Sequence, residues 1–462
     1  MYLTERLLIT MKRLILPVAM AISSVVLFAQ QTKKVVLPNA QQLQWSAAEI
    51  GAIIHFDLVN YVPGYNWRNW GTHPSAKVFN PLKLDTDQWV RAAKAAGATY
   101  VLLVAKHCSG FSLWPTGAHP YSVKNAPWKN GKGDIVKDFM ASCRKYHVKP
   151  GIYASASANG YCYVDNPGLV QKGSPFTQEQ YNAIVIKQLT ELWSNYGKLF
   201  EIWFDGGVLP VEKGGPPIAA LLKKLQPDAI VFQGPVKAKN LVRWIGNEEG
   251  AAPYPNWSTS DATTSATGTI KVDHMQGDPN GKIWCPGEAD FPLRTGWQGG
   301  WFWKAEGQKM LSLQQLLKNY YTSVGRNANM LLGIVVDTSG QVPAEDVERL
   351  TEFGNAVKER FARPVFAGKA KGTTVLLTIA PRPVTLNCIV LQEDIAQGER
   401  IRRYAVDAWI NNSWKLIAEG SSIGHKRIQE FTPVHTTKIR WRVTEAVAPP
   451  VLKNIALYDI KM

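Results

Sequence analysis

The chain has 462 residues, of which 45% are apolar and 19% charged. That length allows two or three domains, and the balance fits a globular protein with a large core and excludes a mainly disordered chain or a coiled coil. Lys and Arg exceed Asp and Glu by 52 − 36 = 16, but the basic residues are dispersed, with no Lys/Arg run of the kind that marks a nucleic-acid-binding tail.

At the start, Met11-Lys12-Arg13 precedes an apolar run from Leu14 to Ala29, interrupted only by Pro17, Ser23 and Ser24, with Leu27-Phe28-Ala29 as a small-residue cleavage site. This pattern predicts a signal peptide over 1–29 and an exported, periplasmic or extracellular protein. The run is short for a membrane span, and no other segment reaches about 18 uninterrupted apolar residues. From about residue 50 to 360, strand-like runs alternate with helix-period segments. Strands are expected at Gly51–Asp57, Tyr100–Lys106, Pro150–Ser155, Leu199–Asp205, Ala229–Gln233, Val242–Asn247, Ile283–Pro286 and Met330–Val336. Helices are expected at Asp85–Ala96, Asp134–His147, Thr177–Tyr196, Pro217–Leu225, Lys309–Val324 and Ala344–Phe361. Such alternation implies a parallel α/β sheet, and about eight strands favour a closed (β/α)8 TIM-like barrel, placed over 30–363. After Pro364 the texture becomes all-β, with runs at Gly372–Ile379, Val384–Leu391, Tyr404–Ile410, Trp414–Ala418 and Lys438–Val443 separated by turns. A C-terminal β-sandwich is expected over 364–462.

The five cysteines (Cys108, Cys143, Cys162, Cys285, Cys388) are scattered, so they read as free buried thiols rather than a disulfide framework, and no spacing marks a metal site. No phosphate-binding or dinucleotide motif is present, and no cofactor is implied.

In a parallel barrel, functional groups come from the C-terminal ends of the strands. There the sequence offers His55 and Asp57, then His107 and Cys108, then Glu201, Trp203 and Asp205, then Glu248 and Glu249, then Glu288 and Asp290. The 17 Trp residues include Trp67, Trp70, Trp114, Trp203, Trp244, Trp257, Trp284 and Trp297 nearby in sequence. Carboxylates beside aromatic platforms suit glycosidic bond cleavage, in which one carboxylate attacks or stabilises the sugar cation and another protonates the leaving oxygen. Each residue also has a plain structural reading. Asp205 could cap the turn at Gly206-Gly207, His55 and His107 could be core histidines, Glu248-Glu249 an exposed loop pair, and Glu288 an ion-pair partner.

The runs HFD at 55–57, FNP at 79–81, AKHCSGFSLWP at 105–115, SVKNAPWKNGKGD at 122–134, RKYHVKPGIY at 144–153, EIWFDGG at 201–207, VRWIGNEEG at 242–250 and GRNANMLLGI at 325–334 resemble the family 29 α-L-fucosidases. The longer runs look closest to the subfamily acting on α-1,3/1,4-linked fucose in branched glycans. The resemblance implies a barrel followed by a β-sandwich and a retaining hydrolase of oligosaccharides that needs no cofactor. By position, Asp205 matches the nucleophile and Glu248 the general acid/base. His55 and His107 match histidines that bind sugar hydroxyls, and Trp203 matches the aromatic beside the nucleophile. Trp284, Glu288 and Asp290, in WCPGEAD, fall in a region on the aglycone side, and Trp67 and Trp70 are further candidate sugar platforms. Glu249 and Glu288 remain the other candidates for the acid. The chain departs from the family pattern at Cys108, where a second histidine is usual, at Asn69 of Asn69-Trp70-Gly71, and over Ala156-Ser157-Ala158-Asn159. The alternatives are a hydrolase of a related sugar such as an α-L-galactoside, and a non-catalytic carbohydrate-binding protein.

Overall fold

The computed structural model describes residues 35–261 and 275–461. The expected signal peptide lies outside them. Eight strands close into a barrel in chain order: β1 (Ile50–His55), β2 (Tyr100–Lys106), β3 (Lys149–Ala154), β4 (Glu201–Trp203), β5 (Ile230–Phe232), β6 (Leu241–Trp244), β7 (Gly287–Pro292) and β8 (Ala328–Val335). Every pairing is parallel, and β8 closes on β1 with Ile50 opposite Met330 and His55 opposite Val335.

Side-chain alternation divides the barrel into two cores. Ala52, Ile54, Val101 and Leu103 face the surrounding helices, whereas Ile53, Tyr100, Leu102 and Val104 fill the interior with Trp203, Phe232, Val242 and Leu331. A short helix, α1 (Ala40–Ser46), lies by the N-terminal ends of the strands. Its Trp45 indole donates to Glu201 Oε2 at 3.0 Å, and Asn329 donates to the Trp45 carbonyl at 2.7 Å.

The outer helices α2 (Thr86–Ala95), α3 (Ile135–Tyr146), α4 (Gln178–Asn195), α5 (Ile218–Leu225), α6 (Leu313–Thr322) and α7 (Ala344–Phe361) follow β1, β2, β3, β4, β7 and β8. Asp85, Asp134, Thr177 and Ser312 cap four of them, each accepting from a backbone N–H three residues on. No helix joins β5 to β6, and none follows β6 among the described residues. Asn240 instead tethers the short β5–β6 connection by donating to the carbonyls of Pro227 and Ala229.

Two expected elements move. Ile283–Trp284 pairs antiparallel with Thr259–Ser260 outside the barrel, and the seventh barrel strand is Gly287–Pro292, whose acidic residues and proline hide its strand character. The helix expected from Lys309 begins at Leu313, because Lys309–Met310 pairs with Arg294–Thr295.

Beyond α7, two four-stranded antiparallel sheets enclose one apolar core containing Leu386, Ile389, Val406, Ile439, Trp441 and Ile455. The strands are β9 (Phe366–Lys371), β10 (Thr374–Thr378), β11 (Val384–Glu393), β12 (Ile401–Ile410), β13 (Ser413–Gly420), β14 (Arg427–Thr436), β15 (Lys438–Ala446) and β16 (Val451–Tyr458), in the orders β9-β16-β11-β14 and β10-β15-β12-β13. The pattern missed β9, β14 and β16. β14 is an edge strand carrying Pro433, and Lys453-Asn454 break the alternation of β16.

A buried polar seam joins barrel to sandwich. Glu399 accepts from Ser258 N–H at 3.0 Å and from Asn327 Nδ2 at 2.6 Å, and Asn327 accepts from His425 N–H. Glu49 pairs with His425 at 2.9 Å and with Lys426. Burial alone would raise the Glu49 carboxyl, but these two partners hold it down at about 2.

Candidate active site

The C-terminal ends of the strands converge on a pocket lined by Ile53, His55, His107, Tyr153, Trp203, Asp205, Glu248, Asp290 and Trp301. The lining comes wholly from the barrel. His55 ends β1, His107 follows β2, Tyr153 lies on β3, Trp203 ends β4 and Asp290 lies on β7. A run of stacked rings forms one wall. Trp203 lies on Phe232 with centroids 4.0 Å apart, Tyr153 lies against Trp203 at 5.3 Å, and His107 stacks on Tyr153 at 5.7 Å.

Asp205 is positioned by the turn that follows it. The Tyr153 hydroxyl donates to its Oδ2 at 2.9 Å, and the Ser157 hydroxyl donates to its carbonyl. The next N–H, that of Gly206, goes to Gln233 at 3.0 Å, so the Asp205 carboxylate is not needed there as a cap. Gly206 has φ +66°, and a Cβ there would sit 2.3 Å from Asn166 Nδ2. The sharp turn that turns Asp205 toward the pocket therefore requires glycine. Burial raises the Asp205 carboxyl, opposed by the Tyr153 hydrogen bond.

Glu248 is exposed at the pocket mouth, where the Trp301 indole donates to its Oε2 at 2.9 Å. Glu249 does not reach the lining. Asp290 is buried and accepts from the Trp244 indole at 2.6 Å. Burial and then the charge of Glu248 push its carboxyl well above the usual range. Held neutral, it can donate a hydrogen bond. Both histidines are also neutral. Burial followed by the neighbouring His107 lowers His55, and burial followed by Lys106 lowers His107 to about 4.

Several expected site residues lie elsewhere. Glu288 is two residues before Asp290 on β7, so it faces the same way but one layer deeper in the barrel. Tyr100 donates to its Oε1 at 2.6 Å and the Trp203 indole to its Oε2 at 3.0 Å, and it lies against Glu201. Burial raises both carboxyls, and the charge of Glu288 raises Glu201 further. Trp284 precedes β7. Its carbonyl accepts from Gln42 of α1, at the end of the barrel opposite the pocket, so the structure does not bring it to the aglycone side. Trp67 and Trp70 sit half-buried on the loop after β1, beside the pocket rather than in its lining. Trp67 packs near Phe302, and Trp70 stacks on Tyr163 at 5.8 Å. Asn69 is exposed in the same loop, whereas Cys108 is buried beside the lining.

Tyr153 and Trp301 were not among the expected site residues. Tyr153 was detectable from the two-residue period of β3, which turns it inward near the strand end. Trp301 lies in a loop with no local signal beyond the abundance of tryptophan.

A closed parallel barrel whose mouth gathers carboxyls, neutral imidazoles and aromatic walls in one pocket is the architecture of a glycoside hydrolase. The sequence model of the α-L-fucosidase family matches residues 32–360. α-L-fucosidase 1 of Arabidopsis thaliana is 30% identical over 91% of this chain and 87% of its own length. The crystal structure of a putative α-L-fucosidase from Bacteroides thetaiotaomicron VPI-5482 covers 93% of this chain and 100% of its own, with a TM-score of 0.86 and 36% identity. That of a glycoside hydrolase 29 family member from an unknown rumen bacterium covers 93% of this chain and 78% of its own, with a TM-score of 0.79 and 30% identity. The chain belongs to the α-L-fucosidase family of glycoside hydrolases.

Proposed function

We propose that the protein is an exo-acting, retaining α-L-fucosidase with Asp205 as nucleophile and Glu248 as general acid/base. The observation that carries this reading is that both carboxyls line one pocket, each held by a neighbouring donor, with His55 and His107 on the same wall. Asp205 attacks the anomeric carbon as Glu248 gives its proton to the departing aglycone oxygen. Glu248 then takes a proton from water, which attacks the same carbon and frees Asp205, so configuration is retained. Neutral His55, His107 and Asp290 supply hydrogen-bond partners for the sugar hydroxyls.

The motif resemblance favours α-1,3/1,4-linked fucose on branched glycans, with Trp67 and Trp70 beside the pocket as platforms for the remainder of the glycan. Cys108, where the family has histidine, removes a hydrogen-bonding group from the glycone site. Binding energy then has to come from the aglycone, and simple aryl fucosides are expected to be poor substrates beside branched oligosaccharides. The test is early-time NMR of hydrolysis, which should show the released sugar with retained anomeric configuration. Azide should rescue Glu248→Ala on an activated fucoside, and Glu288→Ala should show no such rescue. Initial release of the inverted anomer, or azide rescue at Glu288 alone, would overturn the assignment.

A further inference from the structure

Sequence spacing offers no metal site, yet the fold assembles one set of ligand atoms. Among the described residues, donor atoms of His107, Cys108 and Asp205 all lie within 4.8 Å of one another. They come from two strand ends, β2 and β4, and His107 and Asp205 line the pocket. Imidazole, thiolate and carboxylate are all zinc ligands, and three protein ligands with a fourth position left open describe a reactive zinc site. We propose that this pocket binds Zn²⁺ through His107, Cys108 and Asp205, and that the bound ion switches off hydrolysis by occupying the Asp205 carboxylate.

Tetrahedral zinc with bonds of about 2.0–2.3 Å spaces its ligand atoms about 3.3–3.8 Å apart, so the three groups have to close by about 1 Å. Side-chain rotation supplies that, since among the described residues the His107 ring makes no side-chain hydrogen bond and Tyr153 engages only Oδ2 of Asp205. The backbone at Cys108 is fixed, its carbonyl accepting from Gly160 N–H at 2.7 Å. Coordination releases the thiol proton to solvent, and no electrons move. Lys106 is the opposing charge, buried and near enough for its charge to act on His107 and Cys108. Against it stand the carboxyls of Asp205 and Asp57, whose charges act on Cys108. His107 and Asp205 line the pocket, so an ion held between them takes space that the sugar needs, which makes inhibition competitive with substrate. Cys108 is the departure that gives the set its sulfur donor, where the family resemblance leads one to expect a second imidazole.

This inference rests on the proposed role of Asp205 for its inhibitory half alone, and the experiment separates the two. Under a non-chelating phosphine reductant, Co²⁺ is titrated into the full chain and thiolate-to-cobalt charge-transfer absorption is recorded. Zn²⁺ inhibition is measured in parallel on a fucoside. The expected result is a charge-transfer band that Zn²⁺ displaces, competitive inhibition by Zn²⁺, and loss of the band in Cys108→Ser. Where Cys108→Ser retains turnover, its Zn²⁺ inhibition constant should rise by about tenfold or more. Absence of the band in the wild-type protein overturns the site and leaves the fucosidase reading untouched. A band without inhibition overturns the switch. Inactivity of Asp205→Asn bears on the nucleophile and not on the metal.

Discussion

The barrel mouth and the sandwich treat buried charge in opposite ways. In the sandwich, Glu393 accepts three backbone N–H groups, from Arg400, Ile401 and Gly424, at 2.9–3.1 Å. Asp407 is clamped by Arg440 at 2.8 Å and Arg442 at 2.7 Å. In the barrel, His55 Nδ1, Lys106 Nζ, Asn159 Nδ2 and Glu201 Oε1 are buried without a hydrogen-bond partner among the described residues, where the sandwich contributes one such atom, Arg427 Nε. Burying a polar group without a partner costs several kcal/mol on transfer scales, and among the described residues the barrel carries most of these groups. Saturated carboxylates mark framework here, and incompletely partnered ones gather around and beneath the pocket.

The comparison can be broken by substitutions on either side. On the proposed nucleophile role, Asp205→Asn should lower kcat by on the order of 10⁴-fold or more while leaving the melting temperature close to wild type, because the loss would be covalent chemistry and not packing. A folded Asp205→Asn enzyme with near-normal turnover would end the distinction. Glu393→Ala should do the reverse. Three buried N–H groups lose their acceptor at roughly 1 kcal/mol or more each, so denaturant unfolding should show a loss of about 3 kcal/mol or more, with kcat per folded molecule unchanged.

A subtler probe is Tyr153→Phe, which removes one hydrogen bond to the Asp205 carboxylate. A bond to a charged group contributes about 1.5–3 kcal/mol, so kcat/KM should fall by about 10- to 100-fold. As the proposed nucleophile, Asp205 would attack in its ionised form, and burial already raises its pKa. Activity should therefore fall as pH drops through that raised value, and loss of the Tyr153 donor should move this acidic limb to higher pH. An unmoved limb would detach Tyr153 from Asp205. The smallest effect is expected at Trp284→Phe. Its indole N–H is buried without a partner at the far end of the barrel, so kcat/KM on branched oligosaccharides should stay within about twofold. A large loss there would restore Trp284 to the substrate path.

What could be read from sequence follows the strength of local pattern. Tyr100–Lys106 and Ala344–Phe361 appear at the expected residues, and the helix expected from Asp85 forms as α2 with Asp85 as its cap, because apolar period and capping are local signals. The seventh strand was displaced because Gly287–Pro292 places acidic residues inward, an arrangement that only the barrel interior explains. The same displacement put Glu288 with Asp290 at the pocket, whereas one strand layer separates them. His55, His107, Trp203, Asp205, Glu248 and Asp290 were legible because strand ends converge in any such barrel. Tyr153, Trp301 and the His107–Cys108–Asp205 set were not, since each depends on which loops meet in space.

The bond from the Trp203 indole to Glu288 has a consequence for how this enzyme can diverge. Replacing Trp203 alone strands a carboxyl deep in the barrel beside a second one, so a new pocket wall requires coordinated change at Trp203, Glu288 and Glu201. Single mutations can reach the loop carrying Trp67, Asn69 and Trp70 without touching that linkage. Neutral drift and selection should therefore rewrite which glycan this enzyme accepts from the rim inward, with the buried wall as the last part to evolve.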